Sequence, residues 1–199
     1  THIRHSEKVF SMKRLLLILI LTLSFQSWTK ADDIRDFQIE GMSIGDSALD
    51  YFSKKDIKKN SKFYRVKTFT LVKNDNYPSK TYDAIDFHFK TGDEKYILQN
   101  IDGVLFFDNE IENCIKKMDS IAKDIEKNLD YIKKFPREKF THRGDETKKS
   151  LFYQAKFDLE DGYVTLICYD YSAEYGGRDN LSVSIDTPEL NKFLMGDIY

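Results

Sequence analysis

Few side chains in this 199-residue chain have the type and spacing that chemistry needs. There is no glycine-rich phosphate loop, HExxH, CxxC or GxSxG, so the common motifs for phosphoryl transfer, zinc hydrolysis, thiol exchange and serine acyl transfer are missing. Of the 4 histidines, His88 and His142 lie beyond residue 31, and neither has a second histidine at metal-ligand spacing. His88 alternates with Phe87 and Phe89 and is expected on the solvent side of a strand. His142, within Thr141-His-Arg-Gly-Asp145, is the acid/base candidate, since a loop imidazole beside Asp145 or Glu146 can move a proton. Asp158, Glu160, Asp161 and Asp170 fit no EF-hand spacing and read as turn residues. No catalytic residue, metal ligand or cofactor is assigned.

Two cysteines and a row of tyrosines say more. Cys114 falls in an apolar stripe with Ile111, Ile115, Met118, Ile121, Ala122, Ile125, Leu129 and Ile132 at helical period. Cys168 shares the alternation Val164, Leu166, Cys168, so both thiols are expected at one helix–sheet interface, as a disulfide or as two buried thiols. The opposite side of that strand carries Tyr163, Thr165, Ile167, Tyr169 and Tyr171, with Tyr175 and Arg178 in the following loop. Tyrosine and arginine offer large contact area with a polar tip, which makes this the expected binding surface. The competing reading is a face packed under a loop or against the other half of the chain.

These residues need elements to position them. Periodicity predicts a long helix from Asn109 to Phe135, ended by Pro136, and strands at 62–72, 82–90, 96–107, 151–159, 163–171 and 181–187. Asp46 or Ser47 can cap one short helix and Ser53 another, and Pro188 opens a last helix through Met195. The fold class is therefore α+β, an antiparallel sheet packed by one long helix. Sliding the chain by 62 residues sets Ile39–Asp46 over Ile101–Asp108, which divides residues 32–199 into halves 32–100 and 101–199 of a tandem α-β-β-β repeat, or leaves them one domain.

The first residues decide the compartment. Residues 1–11 are polar and read as upstream sequence, whereas residues 12–31 read as a signal peptide: Met12, Lys13 and Arg14 precede the apolar run Leu15 to Leu23, and Thr29 and Ala31 are small. That run is about half the ~20 residues a bilayer span needs, and no cysteine follows it to take a lipid, so no stable membrane anchor is expected after cleavage. An oxidising destination, the periplasm or the exterior, favours the disulfide over free thiols. With 31 Lys+Arg against 33 Asp+Glu, interspersed, the surface suits neither nucleic acid nor anionic membrane.

Ile39 to Phe52, IEGMSIGDSALDYF, resembles the opening motif of the small α/β repeats of BamE/SmpA and beta-lactamase-inhibitor-like envelope proteins. That resemblance implies work by binding other proteins. The whole chain is similar to uncharacterised exported proteins of marine alphaproteobacteria, which implies a compartment and no activity. The expectation is an exported soluble binding or envelope-accessory protein, without catalysis, whose partner is an envelope protein or a small ligand. The alternative is a periplasmic hydrolase using the His142/Asp145 loop.

Overall fold

Period-two alternation organises most of the chain beyond residue 60, and in the computed structural model it builds one eight-stranded antiparallel sheet. The structure describes residues 33–108 and 110–196. The expected upstream segment 1–11 and signal peptide 12–31 lie outside them. The strands are β1 (Ser61–Phe63), β2 (Phe69–Asn74), β3 (Ala84–Lys90), β4 (Leu98–Phe106), β5 (Lys133–Thr141), β6 (Leu151–Asp158), β7 (Tyr163–Asp170) and β8 (Asn180–Asp186). Their order is β1-β2-β3-β4-β8-β7-β6-β5, so two four-stranded meanders meet where β4 pairs with β8. The helices among the described residues are α1 (Lys54–Asn60), α2 (Ile111–Asn128) and α3 (Pro188–Gly196), and the fold class is α+β.

One face of the sheet is apolar. Phe87, Ile101, Val183, Leu166, Ala155 and Phe157 come from five adjacent strands, and all are buried in a single cluster. On the second half α2 lies across β7 and β8, burying Cys114, Met118, Ala122 and Ile125. Over the first half the cover is the segment before β1, which buries Ile39, Met42, Ile44, Ala48 and Phe52 and stacks Phe52 on Phe87 with centroids 4.8 Å apart. Its two short turns form as the caps predict. Ser47 accepts from the Leu49 amide and Ser53 from the Asp56 amide at 3.1 Å, an N-cap worth about 1 kcal/mol.

The structure corrects four expectations. The long helix stops at Asn128 instead of Phe135, and residues 133–141 form the edge strand β5. Pro136 sits where β5 slips register between Phe135 and Glu138, an edge bulge that needs no amide donor. The helical stripe accordingly ends at Leu129, and Ile132 is 73% exposed. The long strand at 62–72 is a hairpin, β1 and β2, folded about residues 64–68. His88 is not on a solvent face: it is 4% exposed, because the second face of the sheet is itself partly covered. Finally, each half contributes four strands, and β2, β3 and β4 begin 82, 79 and 82 residues before β6, β7 and β8 (69 to 151, 84 to 163, 98 to 180), not 62.

The β6–β7 hairpin locks the start of the described chain onto the second meander. Gly162 accepts from the Leu159 amide there, and a Cβ added at Gly162 would stand 2.1 Å from Ile34 Cδ1 and 2.6 Å from the Asp186 carbonyl oxygen. A side chain can turn away, but a central-strand carbonyl cannot. Gly162→Ala is therefore expected to destabilise by about 2 kcal/mol, in the range of core overpacking, lowering Tm by about 4–8 °C. Gly196→Ala, where nothing lies within 4 Å, is the control expected to leave Tm unchanged. Thermal unfolding of the two variants checks this, and equal Tm values would mean that the hairpin yields.

Candidate functional site

Strand alternation that buries Val164, Leu166 and Cys168 under α2 forces Tyr163, Thr165, Ile167 and Tyr169 onto the second face. Register then lines up a band across five strands at one end of it. Phe140 of β5 pairs with Phe152 of β6, Phe152 with Tyr169 of β7, Tyr169 with Asn180 of β8, and Asn180 with Phe106 of β4. Ring contacts extend the band into the loops: Phe140 to Phe152 at 5.1 Å, Tyr169 to Tyr171 at 5.3 Å and 2°, Tyr171 to Tyr175 at 5.4 Å and 16°. Such contacts contribute about 0.5–1.5 kcal/mol each beyond their area, so the band is a stiff platform. It keeps an open side, with Phe140 39% and Tyr175 43% exposed and the rings between them half-buried.

His142 joins this band. Its ring lies 6.0, 5.5 and 5.0 Å from those of Tyr169, Tyr171 and Tyr175, and its Nδ1 is buried with no hydrogen-bond partner. Burial lowers its pKa, with the Asp145 charge opposing. Asp145 is committed elsewhere: it accepts from the Thr147 amide and hydroxyl, the Ser150 amide at 2.8 Å and the Ser172 hydroxyl, and hydrogen bonding by Ser150 and Thr147 holds its carboxyl well below the usual range. Its carboxylate thus closes the loop 142–150 against β7's end. A shallow open depression at the start of α2, lined by Glu110, Ile111, Glu112 and Asn113, gathers neither group.

Tyr169, Tyr171 and Tyr175 are thus brought together, Arg178 meets the band at its β4 end, and Tyr163 does not join it. Tyr163 stands at the far end of β7, its ring covered by the Lys156 ammonium at 3.6 Å. Arg178 is held by Asp108, Nε to Oδ1 at 2.8 Å, and its guanidinium lies 4.1 Å over Phe106. The sequence reading missed His142, Phe140 and Phe152 as members of the band. Alternation around Phe152 was the available signal; Phe140 lies in residues 136–150, to which the pattern assigns no element.

Beyond the band, the second face is polar. Asp86 pairs with Asp102, Asp102 with Ser184, and Asn100 with Asp186 across β3, β4 and β8. Asn100 Nδ2 donates to both Asp102 and Asp186 at 2.9 Å, and the Ser184 hydroxyl donates to Asp102. His88 Nδ1 meets Asn100 Oδ1 at 2.7 Å and its Nε2 meets the Tyr64 hydroxyl at 2.8 Å. Burial, reinforced by the Asp102 charge, pushes Asp86 and Asp186 each up to about 7, whereas burial pushes His88 down. Over this layer folds α3, whose Leu190 and Phe193 are buried with Phe69.

Among the described residues no group of three or more His, Cys, Asp or Glu is placed to hold a metal ion, and no helix is long and apolar enough to cross a membrane. The sulfurs of Cys114 and Cys168 lie 2.04 Å apart, at disulfide-bonding distance, with Cα atoms 6.0 Å apart. No family model, curated protein or solved structure matches the chain.

Proposed function

We propose that this protein is an exported, non-catalytic binding module that engages an envelope protein or a small ligand through the aromatic band. The observation that carries the reading is the half-open ring series Phe140, Phe152, Tyr169, Tyr171 and Tyr175 on the sheet face that α2 does not cover. Stiff tyrosines lose little conformational entropy on binding and present area with a polar tip, the features of interface hot spots. Export, through removal of residues 12–31, is supported by the cysteine pair at bonding distance, since such pairs persist in oxidising compartments. The two meanders, each preceded by a helix, also support a tandem origin of the halves, in the form α-β-β-β-β.

The test compares the chain with its Tyr169→Ala/Tyr171→Ala variant as bait on envelope extract. Hot-spot truncation costs about 2 kcal/mol or more, so recovery of the partner is expected to need roughly 30-fold more bait, with Tm lowered only modestly. Equal recovery rejects the band as the site. His142→Ala assayed on ester and amide substrates then addresses the hydrolase alternative.

A further inference from the structure

We propose that α3 is a strap over the polar layer of the sheet, seated on the crowded side chains of Asp86, Asp102 and Asp186 at mildly acidic pH and lifted as pH rises. Three observations carry it, and none rests on the aromatic band. First, the carboxylates are crowded by register: Asp86 stands directly opposite Asp102, and Asn100 joins Asp102 to Asp186 through one amide. Like charges directly opposite in an antiparallel pair destabilise, the more so out of water.

Second, the strap is lightly anchored. Its apolar grip is Leu190 and Phe193 on Phe69 and Tyr64, with Phe193 5.2 and 5.3 Å from those two rings. Among the described residues it is also held by half-buried Leu194, by an exposed pair between Glu189 and Lys90, and by long contacts of Asn191 to Lys156 and of the Met195 carbonyl to Arg143, each 3.4 Å. Exposed pairs of this kind hold only weakly. Third, the polar layer touches the strap at both ends. Asp186 ends β8 and Thr187, the hinge, leads directly into Pro188, while Tyr64 links Phe193 to His88 and so to Asn100.

The charged and titratable groups facing the carboxylates are Lys73 of β2, His88 of β3 and Lys156 of β6, with Asp75 and Tyr64 in turns and Glu189 on the strap. The lysines favour ionisation, and Asp75 disfavours that of Asp86. His88, held neutral by burial, adds no cation to the layer near neutral pH. Asp86 and Asp186 therefore lose their protons close to neutrality, and the charge on Asp186, which is 4% exposed, is hydrated only when the cover opens.

Hydrogen exchange of the full chain, corrected for the intrinsic rate, at about pH 5.5 and about pH 8.5 tests the strap. The expected result is a loss in protection across residues 189–196 at the higher pH that exceeds any loss in β4 and β8 by roughly tenfold or more. Asp86→Asn/Asp186→Asn is expected to keep α3 protected at both. Equal protection of α3 at the two pH values, a parallel loss across the whole sheet, or a double variant that still opens would each overturn the proposal.

Discussion

Replacing Cys114 and Cys168 together by alanine is expected to lower stability by about 4 kcal/mol, which for a chain of this size lowers Tm by roughly 8–16 °C. The pair closes a loop of sequence separation 54, long enough for cross-linking to remove much of the entropy of the unfolded chain. Nothing in the Cα separation of 6.0 Å opposes the bond. Both residues are fully buried, so the double alanine variant also loses packing between α2 and β7. Oxidised and reduced chains unfolded side by side separate the two contributions, because reduction leaves both sulfurs in place. Thiol labelling of protein isolated under blocking conditions shows whether the bond exists in the cell. Identical Tm values for oxidised and reduced protein would mean that α2 is held by its apolar stripe alone.

How much of this arrangement can be read from sequence depends on which force dominates each element. The strands β3, β4, β6, β7 and β8 alternate between a dry face and another face, and period-two patterning marks all of them within a few residues. The cysteines are legible for the same reason, each sitting in an unambiguous apolar stripe. β5 is not: its nine residues are all exposed, so no burial pattern exists to distinguish strand from a continuing helix. Its identity comes from pairing with β6 and from Lys134 and Arg137 reaching back to Glu126 and Asp119 of α2, all of it tertiary. His88 fails differently. Its alternation is right, but the face assumed to be wet carries α3, and a helix that returns over a sheet leaves no local signal. The aromatic band is intermediate: Tyr169 and Tyr171 are visible from β7, while His142 and Tyr175 arrive through the loops fastened by Asp145.

Asp186→Asn is expected to stabilise the protein at about pH 8 by about 2 kcal/mol and to flatten its loss of stability with rising pH. A carboxyl whose folded pKa is raised from 3.8 to about 7 binds its proton more tightly in the folded state. Its contribution is therefore complete below about pH 4 and is lost as pH rises through about 7, with a ceiling of about 4 kcal/mol. Asp86, raised to the same extent, adds loss of the same sign over the same window. His88 has the opposite sense: its folded pKa is lowered, so it withdraws stability as pH falls below its ordinary 6.5. Asp108, Asp145 and Glu174, all lowered by hydrogen bonds, withdraw it further at acid pH. The stability maximum is thus expected on the mildly acidic side of neutrality. Asparagine keeps the shape of Asp186 and can still accept from Asn100 while its amide faces the Thr165 hydroxyl, so the substitution removes charge without emptying the position. Denaturant midpoints of both chains at about pH 5.5 and about pH 8 decide it. A gain at pH 8 with little change at pH 5.5 is the expected pattern. Equal destabilisation at both would show that Asp186 is ionised in the folded protein throughout, held by Asn100 and Lys156 against the cost of burial.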